Sequence, residues 1–331
     1  MIIEQRAYAR AGLLGNPSDG YYGKTIAIIV KNFGAHVSLY ESPELHIEPQ
    51  EEDSNIYRNI YHLVESVSLT GYYGGARLLK AAIKKFFEYC SNQGHQFSHK
   101  NFTIRYKTSI PRQVGLAGSS AIITAAMRAL MQFYQIDIPL NILPNIVLSA
   151  EIDELGINAG LQDRVVQAYE GCVYMNFDKA LMDKKGVGEY EQLDPAKLPR
   201  LFIAYRTDLG KESGKVLNTV RARWEKKEPE VIQTLQRIAD IAEEGRSAIL
   251  EGRYDRLHEL MNENFDCRSK IMDISEQNRA LVDTARNCGA SAKFTGSGGS
   301  IIGMYRDEQM LNRLSLSLKE INARVIKPYI V

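Results

Sequence analysis

Cysteine is scarce in this chain. There are four in 331 residues, Cys90, Cys172, Cys267 and Cys288, and none stand at CxxC spacing. Four scattered thiols cannot staple a fold of this size, so a disulfide framework and a paired-cysteine zinc centre are both excluded. They are expected to be free, buried or half-buried thiols of a reducing compartment. Long apolar runs are missing as well. None approaches the ~20 residues of a membrane span, and Glu4 and Arg6 interrupt the opening MIIEQRAYAR. Neither a span nor a secretory leader is expected, and the cytoplasm is the expected location. Charge of one sign is also lacking: 41 Lys and Arg stand against 40 Asp and Glu, a net charge of +1. That balance disfavours nucleic-acid binding through bulk charge. No repeat of fixed period and no low-complexity tract occurs.

What is present is ordinary for a globular protein, with 44% hydrophobic and 24% charged residues. At ~100–200 residues per domain, the length suggests two domains. Residues 1–8 and 25–40 read as strands, the second carried by Ile26, Ile28, Val30, Val37 and Leu39. Leu78, Leu79, Ala82, Ile83, Phe86, Phe87 and Cys90 fall at three- and four-residue steps and predict an amphipathic helix over 72–90. Phe102, Ile104 and Tyr106 alternate with polar residues, as in a half-buried strand. Helical periodicity resumes from Ile122 to Tyr134. Further helices are expected over 143–155 and from Gln162, and a strand over 173–177. Residues 178–199, rich in Asp, Lys, Gly and Pro, read as a domain junction. Beyond them come a strand at 201–205, a mostly helical stretch over 215–287 and short strands at 291–295, 301–305 and 323–326. Strict βαβα alternation is absent, which favours α+β over a doubly wound sheet.

Four segments concentrate the chemistry: ARAGLLGNPSDG at 9–20, PRQVGLAGSSA at 111–121, AEIDELGINAGLQD at 150–163 and KFTGSGGS at 293–300. In the second, a strand runs into a Gly- and Ser-rich turn and a helix starts at once. Glycines let backbone N–H groups approach an anion, and the helix N-terminus presents its unpaired donors to the same point. A serine-capped helix has the same local sequence. Residues 18–25 imitate GxxxxGK[ST], but Ser18 stands where the first glycine belongs and a strand follows Lys24, so a P-loop is excluded. The fourth segment lacks GxGxxG and precedes a strand, which excludes a dinucleotide fingerprint. Glu151 stands twelve residues before Asp163. Phosphoryl transfer uses one carboxylate on Mg²⁺ and another near the attacking hydroxyl, although this spacing alone is not diagnostic. His95 and His99, four apart in a polar stretch, are not read as metal ligands. Trp224, Tyr57 and Tyr61 are read as packing.

Taken together, the four segments resemble the GHMP kinase superfamily, and nearly the whole chain takes part. The family's P-x-x-x-G-L-x-S-S-S-A motif is matched by PRQVGLAGSSA, with Gly118 replacing the first serine of the triplet. Its C-terminal K-x-T-G-A-G-G-G motif is matched by KFTGSGGS. Arg10, Gly15 and Asp19 recur at the steps of the galactokinase first motif. From about residue 7 to 300 the chain is most similar to the glucuronokinase subgroup, through ARAGLLGNPSDGYYGKT, GYYGGARLL, PNIVLSAE and AGLQDRV.

The resemblance implies an α+β, two-domain GHMP kinase architecture. A ribosomal-protein-S5-domain-2-like N-terminal domain over 1–190 would carry ATP binding and catalysis. A ferredoxin-like C-terminal domain would cover 191–331. It implies ATP and Mg²⁺, a small-molecule sugar acid, and no nucleic-acid or membrane partner. Gly115, Leu116, Gly118, Ser119 and Ser120 take the ATP phosphates, and Ser120 and Glu151 the metal, with Asp153 the local competitor. Asp163 is the carboxylate at the sugar hydroxyl, Arg10 its cationic partner and Asp19 a sugar-hydroxyl ligand. Gly296, Gly298 and Gly299 form a supporting loop. A uronate needs a cation for its carboxylate. Arg164, Lys24, Arg112 and Arg206 are the candidates, though a helical Arg164 is expected to point ~100° away from Asp163. The implied reaction is phosphorylation of D-glucuronate at the anomeric hydroxyl, feeding UDP-glucuronate synthesis. The alternatives are galacturonokinase, arabinokinase, heptose 7-phosphate kinase, or a non-catalytic sugar-binding regulator.

Overall fold

The computed structural model describes residues 2–49, 74–97, 100–208 and 216–330. His99, Tyr57, Tyr61, Gly71, Tyr72 and Tyr73 lie outside them. The chain gathers into two compact units, each made of discontinuous segments: 1–9, 33–110 and 118–159 in one, and 10–32, 111–117 and 160–331 in the other. Strands β1 (Ile2–Leu14) and β2 (Lys24–Ser42) contribute to both and pair with each other. Among the described residues no helix is long and apolar enough to cross a membrane.

In the first unit, β2 from Ala35 to Ser42 runs antiparallel to β4 (Asn101–Thr108), and β3 (His46–Ile47) adds in parallel to β4. Three helices pack together: α1 (Gly75–Asn92), α2 (Gly118–Tyr134) and α3 (Leu143–Ile152). The three- and four-residue spacing buries Leu78, Leu79, Ala82, Phe86 and Cys90 of α1. Phe87, expected on that face, is 55% exposed. It lies one residue, or ~100°, beyond Phe86, and its ring stacks on Phe97 at 5.1 Å instead.

In the second unit, β2 from Lys24 to Ile28 pairs with β5 (Cys172–Asn176), which pairs in turn with β6 (Glu189–Leu193). The segment 178–199 is therefore ordered. It holds α5 (Lys179–Lys185), capped by the Asp178 carboxylate, and strand β6. Helix α4 (Gln162–Tyr169) precedes β5. The C-terminal sheet joins β7 (Leu201–Arg206), β8 (Lys293–Phe294), β9 (Ser300–Met304) and β10 (Ala323–Ile326) in the order β10-β7-β9-β8, all antiparallel. That order, with helices between β7 and β8 and between β9 and β10, is the ferredoxin-like β-α-β-β-α-β pattern that the family resemblance implied.

Helices α6 (Val216–Glu225), α7 (Pro229–Glu251), α8 (Tyr254–Ile271), α9 (Glu276–Asn287) and α10 (Glu308–Glu320) complete the unit. Phe202, Phe265, Leu281, Phe294, Ile301 and Leu314 form one apolar core against that sheet. The four cysteines are free; Cys90, Cys172 and Cys267 are buried and Cys288 half-buried. Trp224 packs on Tyr21, with ring centroids 5.5 Å apart.

Candidate active site

Strand β1 runs to Leu14 rather than stopping near residue 8, so Arg10 is a strand residue and only the segment after it turns. Regular strand geometry fixes where its side chain goes, and Arg10 is 5% exposed. Its guanidinium grips Asp163 with both edges of the carboxylate engaged, Nε to Oδ1 at 2.5 Å and Nη2 to Oδ2 at 2.7 Å. Nη1 donates to the carbonyls of Gly115, 2.6 Å, and Thr295, 3.1 Å. The sequence segments around residues 10, 115, 163 and 295 therefore meet at one guanidinium.

Asp163 stands in the first turn of α4. Arg164 does not turn away from it. Its long side chain folds back, Nη1 reaching Asp163 Oδ2 at 3.2 Å and donating to Gly160 O at 2.7 Å. At 3% exposure it is no surface salt bridge. Burial alone raises the Asp163 pKa, but the charges of Arg10 and Arg164 outweigh it and hold the carboxyl below its ordinary range.

Asp19 lies in a 3-10 turn over Ser18–Tyr21 and receives the Gln162 backbone N–H on Oδ2 at 3.4 Å. Burial, then the negative charge of Asp163, pushes its pKa up to about 6. Gly160 makes the approach possible, because a Cβ there would lie 2.1 Å from Asp19 Oδ2. Two carboxylates of one unit are thus driven to opposite protonation behaviour, an arrangement typical of functional sites.

Two loops support this pair. In 111–117, Gln113, Gly115 and Ala117 all adopt left-handed φ, at 57°, 69° and 59°. For Gln113 and Ala117 that costs about 1 kcal/mol each. The loop is held by Arg10 N–H on Leu116 O, Ser300 Oγ on Val114 O and Gln167 Nε2 on Ala117 O. The other loop, 295–299, turns β8 into β9. A Cβ on Gly296 would meet Gly115 O at 2.5 Å, and one on Gly299 would meet Val114 Cα at 2.9 Å. These glycines are needed so that the two loops can touch. Lys293 is fully buried, and its Nζ donates to Gly12 O, Asn16 Oδ1 and Phe294 O, fastening β8 to the end of β1.

The first unit holds a separate constellation. Helix α2 starts at Gly118, which places Ser119 and Ser120 in its first turn, where N–H groups lack intrahelical partners. Ser119 Oγ donates to Glu151 Oε1 at 2.6 Å. Glu151, at the end of α3, has no exposed surface, whereas Asp153 is exposed and pairs with Lys85. Ser120 is also fully enclosed. Among the described residues no group of three or more His, Cys, Asp or Glu is disposed to hold a metal.

The remaining candidate cations are engaged elsewhere or exposed. Lys24 Nζ pairs with Glu243 at 2.7 Å, Arg206 with Asp208 through two 2.9 Å bonds, and Arg112 is exposed. The sequence does not single out Gly160, Gln162 and Arg268, whereas Thr295 stands in its glycine loop. Gly160 and Gln162 are neighbours of a motif residue. Arg268 carries no signal, since a basic residue in the last turn of a helix is ordinary.

Comparison with known proteins follows the same lines. The family of GHMP kinase N-terminal domains matches residues 77–171, and that of GHMP kinase C-terminal domains matches 246–322. The chain is 45% identical over 306 residues to Glucuronokinase 1 of Arabidopsis thaliana, covering 91% of this chain and 84% of that protein. It is 46% identical over 308 residues to Probable glucuronokinase 2 of the same plant, with the same coverage. In three dimensions it resembles Lactococcus lactis galactokinase, crystallised with galactose, at a TM-score of 0.77 and 14% identity over 99% of this chain and 93% of that one. The chain belongs to the GHMP kinases, as a sugar kinase of the glucuronokinase group.

Proposed function

We propose that the protein transfers the γ-phosphoryl group of ATP to the anomeric hydroxyl of D-glucuronate, releasing ADP and 1-phospho-α-D-glucuronate. The product feeds UDP-glucuronate synthesis. The substrate assignment rests on the similarity to the plant glucuronokinases. The observation that carries the chemistry is the Asp163 carboxylate, fixed by two guanidinium groups.

Asp163 accepts a hydrogen bond from the anomeric hydroxyl and aims its oxygen at phosphorus. Held below the ordinary carboxylate range, it is a weak base. Phosphoryl transfer through a loose transition state asks mainly for positioning, so a weak base suffices. The bond from the anomeric oxygen to phosphorus forms as the bond to the ADP oxygen breaks. The hydroxyl proton moves late to Asp163 and on to solvent. Arg10 keeps the carboxylate in register and sets positive charge beside the transferring group. Asp19 holds a sugar hydroxyl, and Arg164 positions Asp163.

Backbone donors of Gly115 and Leu116, and of Gly118, Ser119 and Ser120 in the first turn of α2, take the phosphates. The loop of Gly296, Gly298 and Gly299 supports them. Mg²⁺ fits the donor set at Glu151: one buried carboxylate with a serine hydroxyl beside it suits a cation that takes most of its ligands from phosphate and water. Glu151 with Ser119 or Ser120 would hold it, and when bound it would neutralise charge on the phosphate oxygens. The family division into domains at 1–190 and 191–331 and a cytoplasmic location, in keeping with four free thiols, belong to the same proposal.

The test is ADP release with ATP and Mg²⁺ against glucuronate, galacturonate, glucose, galactose, arabinose and a heptose 7-phosphate. Turnover strongest on glucuronate is expected. Strongest turnover on another sugar, or a flat response, would overturn the substrate assignment.

A further inference from the structure

A uronate differs from a hexose by one carboxylate, so selectivity depends on the cation that reads it. Of the cations the sequence offered, Arg112 is exposed, and Arg164 is engaged with Asp163, Lys24 with Glu243 and Arg206 with Asp208. Arg268 is not. It projects from the last turn of α8 and is 4% exposed. Nη1 donates to Gly296 O at 2.8 Å, and the guanidinium carbon lies 5.1 Å from the centre of the Phe294 ring. Among the described residues its side chain forms no ion pair and no other hydrogen bond, and Nε is buried without a partner.

Its position is close to the reacting pair. Gly296 borders both guanidinium groups: its carbonyl accepts from Arg268, and a Cβ on it would lie 2.8 Å from Arg10 Nη1. The charged and titratable groups that act on Arg268 are Asp19, Arg10, the Tyr21 hydroxyl and, from β8, the buried Lys293 amine. Burial lowers its pKa to about 10, which leaves it cationic at neutral pH. The unused edge is the Nε–Nη2 edge. Arg10 uses this same edge on the Asp163 carboxylate. A guanidinium enclosed in protein with that edge unfilled is unfavourable until an anion completes it.

We infer that Arg268 reads the substrate's carboxylate, receiving it on the Nε–Nη2 edge as a bidentate fork while Gly296 O and the Phe294 ring fix the guanidinium plane. The inference rests on the reading of the substrate as a uronate. A neutral hexose or amide leaves the fork empty and is rejected for that reason. A purely structural role, bracing Gly296, needs only Nη1.

The experiment compares kcat/KM for glucuronate with that for glucuronamide, which keeps the ring and loses the charge. Wild type is expected to prefer glucuronate by about 10²–10³-fold, the range found when a buried charge pair loses a partner. Arg268→Met is expected to bring the two substrates within about tenfold, through loss on glucuronate alone. Arg268→Lys, which keeps the charge without the fork, is expected to fold and to lose about tenfold of the preference. It serves as the test if the Met variant does not fold. Equal loss on both substrates in the variants, or an unchanged preference, overturns the role of Arg268. No turnover of glucuronate by wild type overturns instead the substrate reading beneath it.

Discussion

Replacing Asp163 by Asn tests the centre of the site in both stability and chemistry. The side chain keeps its shape and one acceptor oxygen. The other becomes an NH2 group that faces two donors, Arg10 Nη2, now 2.7 Å from Oδ2, and Arg164 Nη1, 3.2 Å away. Both guanidinium groups lose their anion in a place where Arg10 and Asp163 side chains are 6% and 15% exposed. Removing one partner of such a buried pair costs about 3–5 kcal/mol. At roughly 2–4 °C per kcal/mol for a large domain, the melting temperature falls by at least ~6 °C.

The sign with pH follows from the lowered pKa. A carboxylate below its unfolded value of 3.8 contributes stability that is fully present above that value and is lost as pH falls through the folded pKa. The gap between wild type and variant is therefore flat from about pH 5 upward and closes in acid. A group that orients or deprotonates the nucleophile contributes about 10²–10⁴-fold, so kcat falls by that factor while the KM for ATP stays within a few-fold. The assays are thermal melts across pH and ADP release under saturating ATP. A melting temperature within 2 °C of wild type would refute the energetic reasoning. Equal losses in ATP affinity and kcat would refute the catalytic one.

The raised pKa of Asp19, about 6, has the opposite sign. The folded state binds the extra proton, so its stability falls as pH rises from about 4 to 6; Asp19→Asn removes that slope in melting-temperature profiles and raises the KM for sugar. Gly160→Ala drives a Cβ to 2.1 Å from Asp19 Oδ2 and is expected to raise the sugar KM at least about tenfold with the ATP KM unchanged. At Gly118 a Cβ would sit 3.5 Å from Ile110 Cγ2, an ordinary contact, so Gly118→Ser is expected to keep its stability within about 0.5 kcal/mol in denaturant unfolding. Ser119→Ala removes the hydroxyl donated to the buried Glu151 and is expected to raise the Mg²⁺ concentration needed for half-maximal rate.

Much of the secondary structure was legible because it depends on local rules. The spacing of Leu78, Leu79, Ala82, Phe86 and Cys90 predicted α1, and the alternation of Phe102, Ile104 and Tyr106 predicted β4. Local rules misplace Phe87, because periodicity admits two adjacent residues where the core accepts one. They also stop β1 near residue 8, whereas the strand, which pairs with β2, runs to Leu14. Composition alone marked 178–199 as a domain junction; pairing of β6 with β5 makes much of it structured.

The sequence by itself determined the family and the α+β class, because its four glycine- and carboxylate-bearing segments resemble the GHMP kinases in order and spacing, and it nominated the candidate site residues. Their relations were decided in three dimensions. Arg10 and Asp163 are 153 residues apart, and only the fold brings them within 2.5 Å. Arg164 was expected to point away, and only packing folds it back onto Asp163 and Gly160. Arg268 has no motif around it. Its unfilled edge exists only because β8, the glycine loop and α8 enclose a guanidinium without giving it an anion. Pairings between distant segments are long-range contacts fixed by packing and burial, and no local pattern in the chain encodes them.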